Sequence, residues 1–240
     1  MNAILFPGQG SQLIGMGSEF YNNFDIAKKI FEEADEKLNF KISKVILEGP
    51  EDQLKLTQNT QPAILTVSYV IFSVLKKEFN FNLKSTKYFA GHSLGEYSAL
   101  VCSESLDFKD ALYLLFERGK EMQAAVPLGK GGMTAVLGMS IEEIRDFIQN
   151  LELKGVCEIA NDNADGQIII SGDIDSMNLL KFSLKESKRK FIPLNVSAPF
   201  HCSLMHPAAE AMKSKIELIN FKKPIFDVVS NVTSKPENNP

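Results

Sequence analysis

The stretch Tyr88-Phe89-Ala90-Gly91-His92-Ser93-Leu94-Gly95 leads from a short apolar segment into a serine flanked by glycines. Residues 88–90 predict a strand and residues 94–102 a helix. The pattern G-x-S-x-G between a strand and a helix is typical of a nucleophile elbow, a turn too tight for side chains at the flanking positions. The turn presents the hydroxyl at a helix N-terminus, which favours an oxyanion. Ser93 is therefore the predicted nucleophile, and an ordinary glycine-rich turn is the alternative.

A second strand and glycine turn lie at the beginning of the chain. Residues 3–6 predict a strand that ends in Pro7-Gly8-Gln9-Gly10-Ser11-Gln12. Helical spacing of apolar residues follows at 24–38, at 61–77 and at 107–125, where Asp107 is the expected N-cap. Strands that alternate with helices in this way predict an α/β domain.

The chain changes character at residues 126–132, where one proline and three glycines indicate a linker. Beyond it the pattern predicts strands at 133–139, 156–160, 167–171 and 190–196, and helices at 141–151 and 174–187. This βαββαβ order is typical of a ferredoxin-like domain. We predict that residues 127–197 are a ferredoxin-like insert and that 1–126 and 198–240 form a discontinuous α/β catalytic domain.

The last forty residues predict one helix, 204–218, and one strand, 225–229, before a polar segment rich in proline and asparagine. A strand followed at once by such a segment lacks the helix cover that doubly wound sheets have. We therefore expect that the C-terminal part of the large domain is missing from this chain.

Composition narrows the possible partners and location. Hydrophobic residues make up 44% of the chain, and the formal net charge of -4 gives no basic field for nucleic acid. The start has no basic signal region, and the apolar window at 63–75 is too short to span a membrane. Cys102, Cys157 and Cys202 are scattered, which argues against disulfides and zinc. We expect a cytoplasmic protein without a metal or another cofactor.

A serine nucleophile needs a base, and the chain has three histidines. His92 is adjacent to the serine, but the sharp turn is expected to direct its side chain away. His206 lies in the first turn of a predicted helix and is interpreted as a solvated or N-terminal helix residue rather than a catalyst. His201 lies after a strand and just before a helix, where active-site residues of α/β proteins gather. It is the best candidate, with a hydrogen-bonded structural histidine as the alternative.

Four segments together resemble the acyltransferase family of fatty acid and polyketide synthesis, which includes the malonyl-CoA:acyl carrier protein transacylases. They are Phe6-Pro7-Gly8-Gln9-Gly10-Ser11-Gln12, Gly91-His92-Ser93-Leu94-Gly95-Glu96-Tyr97, Arg118-Gly119 and Ser197-Ala198-Pro199-Phe200-His201. The resemblance implies an α/β-hydrolase-like core with a ferredoxin-like insert. It also implies ping-pong transfer of a malonyl group from coenzyme A to the phosphopantetheine thiol of acyl carrier protein.

The resemblance assigns a role to individual residues. Ser93 would carry the acyl group as an ester, and His201 would take its proton and return one to the leaving thiolate. The backbone N–H groups of Gln9 and Leu94 would form the oxyanion hole. Arg118 would bind the malonyl carboxylate, because a guanidinium holds a carboxylate by two hydrogen bonds.

Several of these roles have structural alternatives. Without the resemblance, Arg118 would be interpreted as a surface helix residue in an ion pair with a nearby glutamate such as Glu121. Phe200 resembles the malonyl-selective form of its motif, in which a bulky ring leaves less room for a methyl branch. Asn161 resembles a position that lines the cleft between the domains of the family, and a turn residue that closes a hairpin is its alternative.

Two other functions fit the same motifs. A serine esterase or thioesterase also has G-x-S-x-G and a later histidine. A truncated, inactive chain could keep the fold and the carrier-docking surface, since the family continues with a glutamine whose main-chain carbonyl orients the histidine. On that basis we expect the 240-residue chain to be slow and prone to aggregate, and a longer polypeptide to restore activity.

Overall fold

The computed structural model of the chain describes residues 2–239. In chain order, their strands and helices are β1 (Asn2–Phe6), α1 (Ser18–Asn23), α2 (Asp25–Leu38), α3 (Ile42–Glu48), α4 (Glu51–Lys55), α5 (Thr57–Lys77), β2 (Thr86–Gly91), α6 (Gly95–Cys102), α7 (Phe108–Ala125), β3 (Gly131–Leu137), α8 (Ile141–Gln149), β4 (Cys157–Ala164), β5 (Gln167–Asp173), α9 (Ile174–Glu186), β6 (Lys190–Pro193), α10 (His206–Glu217), β7 (Asp227–Val229) and β8 (Pro236–Glu237). Short 3-10 helices lie at Leu83–Ser85 and Ser203–Met205.

The chain divides into two compact units. The first comprises the residues up to Gly119 and those from Ser214 onward, and the second is Lys120–Lys213. The predicted insert, 127–197, lies within the second unit, and its boundaries stay a prediction.

The first unit contains a four-stranded sheet in the order β1-β2-β7-β8. The first three strands are parallel, with Phe6 beside Gly91 and Ala90 beside Val229, and β8 runs antiparallel to β7. The segments that follow β1, β2 and β7 therefore leave the sheet at one edge, the carboxyl ends of its parallel strands. Functional residues of α/β proteins gather at this edge.

Phenylalanines join this sheet to the long helix α5. Phe6, Phe72 and Phe89 contact one another edge to face, with ring centroids 5.7 to 6.5 Å apart. Each aromatic pair of this kind contributes about 0.5–1.5 kcal/mol beyond the area it buries. The apolar window at 63–75 lies within α5 and is almost entirely buried. The strands β1 and β2 are thereby fixed against a rigid helix.

The second unit is built on an antiparallel sheet in the order β4-β5-β3-β6. This spatial order, with α8 and α9 as the two helices, is the ferredoxin-like arrangement and confirms the predicted fold class. Helix α8 begins with a capping box, in which Ser140 Oγ accepts from the Glu143 N–H and the Glu143 carboxylate accepts from the Ser140 N–H. The buried side chains of Val136, Ile144, Ile168 and Leu180 form part of its core.

Several element boundaries differ from the sequence-based expectation. Strand β4 continues to Ala164, so Asn161 lies within the strand, paired with Ile169, rather than in a turn. The strand predicted at 225–229 is followed by β8, which was not predicted because its segment is polar in composition. Among residues 2–239, no helix is long and apolar enough to cross a membrane.

Candidate active site

The nucleophile elbow lies between β2 and α6. Ser93 has a φ of 52°, in the left-handed region that is unusual for a residue with a side chain. A Cβ atom at Gly95 would lie 2.5 Å from the Phe6 carbonyl oxygen, and one at Gly91 would overlap the Gly95 backbone. Gly95 is therefore required by the close approach of the turn to β1, and Gly91 is required by the tightness of the turn itself. This geometry supports the predicted elbow.

The predicted oxyanion groups follow β1 and β2. Leu94 is buried and immediately precedes α6, at the end of a helix where N–H groups lack an intrahelical acceptor. Gln9 follows β1, and its side-chain Oε1 accepts from Thr57 Oγ1 at 2.8 Å. Both residues thus lie at the sheet edge that carries Ser93, and their backbone roles stay a prediction.

A cationic side chain reaches the predicted nucleophile. Arg118 Nη2 donates to Ser93 Oγ at 3.2 Å, and Nη1 donates to Gln61 Oε1 at 2.6 Å. The guanidinium also lies over the Tyr97 ring, 5.9 Å from its centroid. Burial lowers the pKa of Arg118, whereas Tyr97 and Glu96 oppose that shift, and a guanidinium keeps its charge at neutral pH. The geometry supports a role in binding an anion beside Ser93 rather than a surface ion pair.

Two polar residues at the start of α5 hold Gln9 and Arg118 in place, and neither was predicted from the sequence. Thr57 contacts Gln9 and Gln61 contacts Arg118, each with a buried side chain. They are four residues apart and so lie on one face of the helix. The helix begins at Thr57, four residues earlier than predicted. A polar turn at the head of an otherwise apolar helix was the available signal.

Gly119 allows α7 to approach α5 closely enough for Arg118 to reach Gln61. A Cβ atom at Gly119 would lie 2.6 Å from the Gln58 backbone nitrogen and 2.7 Å from the Thr57 carbonyl oxygen. The adjacent pair Arg118-Gly119 therefore combines the cation with the space that it requires.

Gly119→Ala is expected to destabilise the chain, although alanine normally favours a helix. The overlap with backbone atoms costs about 1–3 kcal/mol, against a gain in helix propensity of about 1 kcal/mol at most. Urea unfolding measures the change in free energy. Gly132→Ala is the control, because nothing lies within 4 Å of a Cβ atom there. Equal stability of the Gly119 variant and the wild type would contradict the close approach.

The predicted base lies in the second unit. His201 has a φ of 60° and stands just before the 3-10 helix Ser203–Met205. Glu158 fixes Ser203, two residues after His201, since its carboxylate accepts from both the backbone N–H and the hydroxyl of Ser203 at 2.7 Å. Cys202 Sγ donates to the Pro199 carbonyl oxygen at 3.2 Å. The loop is thus held on both sides of the histidine, and its role as base stays a prediction.

The remaining candidates differ in exposure. Phe200 is buried in a cluster with Met133 and Met205, which fixes its ring. Asn161 is half-buried in β4, and both substrate roles stay predictions. His206 is the first residue of α10 and is exposed. His92 is also exposed and packs on Gly8, since a Cβ atom at Gly8 would lie 2.5 Å from His92 Nδ1.

Comparison with known proteins supplies the family. The family model for the acyl transferase domain matches residues 4–240 of the chain. The chain belongs to this acyl transferase family. The match confirms the resemblance that four short motifs indicated.

The relatives of this acyl transferase match nearly its whole length. The malonyl CoA-acyl carrier protein transacylase of Bacillus subtilis (strain 168) is 46% identical over 234 residues, which cover 97% of this chain and 73% of the relative. The crystal structure of acyl-carrier-protein-S-malonyltransferase from Bartonella henselae matches with a TM-score of 0.94 at 42% identity, covering 100% of this chain and 77% of that one. A malonyl-transacylase in complex with its type II PKS acyl-carrier protein matches with a TM-score of 0.93 at 39% identity, covering 99% and 76%.

The three cysteines of the acyl transferase are weak rivals to Ser93. Burial raises the pKa of Cys157 to about 12, and it raises the pKa of Cys102 and Cys202 above the ordinary value as well. At neutral pH these groups are thiols rather than nucleophilic thiolates. Within residues 2–239, no group of three or more His, Cys, Asp or Glu side chains is arranged to hold a metal ion.

Proposed function

We propose that this chain transfers a malonyl group from coenzyme A to the phosphopantetheine thiol of acyl carrier protein. The observation that carries the proposal is the contact between Arg118 Nη2 and Ser93 Oγ, which sets a cation beside the serine of a nucleophile elbow. An acyl group with a free carboxylate suits this pair. The names of the relatives support the same donor and acceptor.

In the first half-reaction, Ser93 Oγ attacks the thioester carbonyl carbon of malonyl-CoA. The Oγ proton passes to the base, which the sequence predicts to be His201. The tetrahedral oxyanion accepts hydrogen bonds from the backbone N–H groups of Gln9 and Leu94. The carbon–sulfur bond then breaks, the base returns the proton to the coenzyme A thiolate, and malonyl remains as an ester on Ser93.

Arg118 selects the acyl group in this scheme. The malonyl carboxylate is two carbons from the ester carbonyl and can fold back to a donor near Oγ. Gln61 holds one end of the guanidinium at 2.6 Å and so keeps the plane of the fork in place. A buried guanidinium and a carboxylate bind by charge-assisted hydrogen bonds, which are about twice as strong as neutral ones.

The second half-reaction is the reverse of the first with a different thiol. The phosphopantetheine thiol of the carrier gives its proton to the base and attacks the ester carbonyl carbon, and the same N–H groups hold the oxyanion. The ester carbon–oxygen bond then breaks, and the base gives that proton to Ser93 Oγ. Serine, a base and backbone N–H groups supply all the chemistry that these steps need, so we infer no cofactor beyond the thioester substrate. A cytoplasmic location stays a prediction.

The rival function, hydrolysis, uses the same serine and differs only in the acceptor. Transfer is favoured because Arg118 gives the site a selective interaction with the acyl group. The names of the relatives point the same way. A plain esterase has no need of a permanent cation at its nucleophile.

Partition of the malonyl group between carrier and water tests the proposal. The chain is incubated with malonyl-CoA and holo acyl carrier protein, and the malonyl-carrier and free malonate are each measured over time. Malonyl-carrier is expected to form far faster than malonate. Apo carrier, which lacks the thiol, is the control and is expected to stay unmodified. Rapid malonate release that the carrier does not divert would instead identify a hydrolase.

A further inference from the structure

The side chain of Asn231 is hydrogen-bonded to the nucleophile elbow. This residue follows β7, and its Oδ1 accepts from the Ser93 backbone N–H at 2.9 Å. Its Nδ2 donates to the Gly91 carbonyl oxygen at 2.7 Å and to Glu96 Oε2 at 2.6 Å. The backbone N–H of Asn231 donates to the same Glu96 oxygen at 3.0 Å. One residue thus contacts the elbow before, at and after the serine.

Only one orientation of the Asn231 amide satisfies these partners. The oxygen faces an N–H donor at Ser93, and the nitrogen faces two acceptors, a carbonyl and a carboxylate. A flipped amide would place donor against donor and acceptor against acceptor. The side chain is therefore locked in a single pose relative to the elbow, although it is exposed to solvent.

The two backbone groups that Asn231 holds belong to the two peptide bonds that precede the strained residue of the turn. Ser93 has a φ of 52°, and residues in such sparsely populated regions persist only where the surroundings fix them. The Gly91 carbonyl and the Ser93 N–H lie on either side of His92, so their common partner fixes the peptide planes that lead to the serine. This contact occupies the Ser93 N–H and leaves oxyanion binding to the N–H groups of Gln9 and Leu94.

Sheet topology explains how Asn231 contacts Ser93, although the two residues are 138 positions apart along the chain. Strand β7 pairs in parallel with β2, and Val229 lies beside Ala90. The segment after β7 therefore emerges next to the elbow, at the same edge of the sheet. Glu96, in the first turn of α6, then receives both N–H donors of Asn231 and anchors it.

We propose that Asn231 is a positioning residue for acylation, which sets the direction of Ser93 Oγ through the elbow backbone and is itself held by Glu96. The inference rests on the proposed function, because its effect is read as a rate of acyl transfer to Ser93. A misplacement of the nucleophile by about 1 Å is enough to cost roughly a hundredfold in rate.

Single-turnover acylation of Asn231→Ala tests the proposal. Excess malonyl-CoA is mixed with the chain, and intact mass gives the rate constant and the fraction of protein that becomes acylated. The maximal rate constant is expected to fall by about tenfold to a hundredfold, with unchanged half-saturation and one malonyl group per chain at the end point. Asn238→Ala is the matched control, because that amide makes only a long contact of 3.4 Å to Asp227 and wild-type kinetics are expected.

A second variant separates positioning from general loss of structure. Asn231→Asp keeps an acceptor for the Ser93 N–H but sets a carboxylate against Glu96, and it is expected to be as slow as the alanine variant. Adding Glu96→Gln supplies a donor to the new carboxylate and is expected to recover part of the rate. A wild-type rate in Asn231→Ala, or a fall in the acylated fraction at an unchanged rate constant, would overturn the proposal.

A fluorophosphonate probe distinguishes failure of this inference from failure of the proposed function. Ser93 Oγ displaces fluoride from phosphorus without any malonyl group, so the same rate comparison can be made for phosphonylation. A wild-type chain that reacts with the probe but forms no malonyl adduct would contradict the proposed function. The positioning role of Asn231 could still be tested in that case, by comparing the phosphonylation rates of wild type and Asn231→Ala. Equal phosphonylation of wild type and Asn231→Ala would overturn the positioning role.

Discussion

Ser93→Ala is expected to abolish the covalent malonyl adduct and to lower malonyl transfer by roughly a thousandfold or more. The reason is that Ser93 alone combines the strained elbow with a position before the N-terminus of α6 and a contact to Arg118. Intact mass after incubation with malonyl-CoA gives the adduct, and a peptide map gives its site.

Ser98→Ala is the matched control for this variant. Ser98 lies in α6, five residues beyond the nucleophile, and is fully buried. The control is expected to form the adduct at the wild-type rate. No adduct is expected on Cys102 or Cys202, because the raised pKa of both thiols makes them poor nucleophiles. An adduct that persists in Ser93→Ala, or that maps to either cysteine, would contradict the assignment.

Arg118→Ala is expected to reduce malonyl transfer far more than acetyl transfer. Only malonyl has a carboxylate for the guanidinium, and a hydrogen bond to a charged group contributes about 1.5–3 kcal/mol, so the malonyl-to-acetyl rate ratio should fall by roughly tenfold or more. The ratio is measured on one protein preparation, which cancels any loss of folded protein caused by leaving buried Gln61 without its partner.

Arg118→Lys supplies the matched comparison. Lysine keeps the charge but cannot hold Gln61 and a carboxylate with one planar fork, so its ratio is expected to lie between those of wild type and alanine. Equal losses of malonyl and acetyl transfer in both variants would mean that Arg118 supports the fold rather than specificity.

The parts of the site that could be predicted from sequence are those coded by short contiguous motifs. The elbow at Ser93 is such a motif, because its glycines, strand and helix follow one another along the chain. The turn at Gln9 is another. The ferredoxin-like order of the second unit was predictable for the same reason, since each strand and helix has its own periodicity.

The supporting residues could not be predicted, because their partners are distant along the chain. Gln61 lies 57 positions from Arg118, and Asn231 lies 138 positions from Ser93. Only the packing of α7 on α5 and the pairing of β7 with β2 bring them together. A polar residue in a helix or after a short strand has many possible roles until that packing is known.

The short elements were also missed, for a different physical reason. Helices α1, α3 and α4 have five to seven residues, too few for apolar spacing to distinguish a helix from a turn. Strand β8 has two residues and a proline, so its pairing with β7 comes from tertiary structure rather than from composition.

Discharge of the isolated malonyl-enzyme by acyl carrier protein tests the central claim most directly. The chain is acylated with malonyl-CoA, freed of coenzyme A and mixed with holo acyl carrier protein, and the masses of both proteins are followed. The account predicts that the malonyl mass leaves Ser93 and appears on the carrier in equal amount, while the adduct persists without carrier. An adduct that is lost to water at the same rate with and without carrier would contradict it.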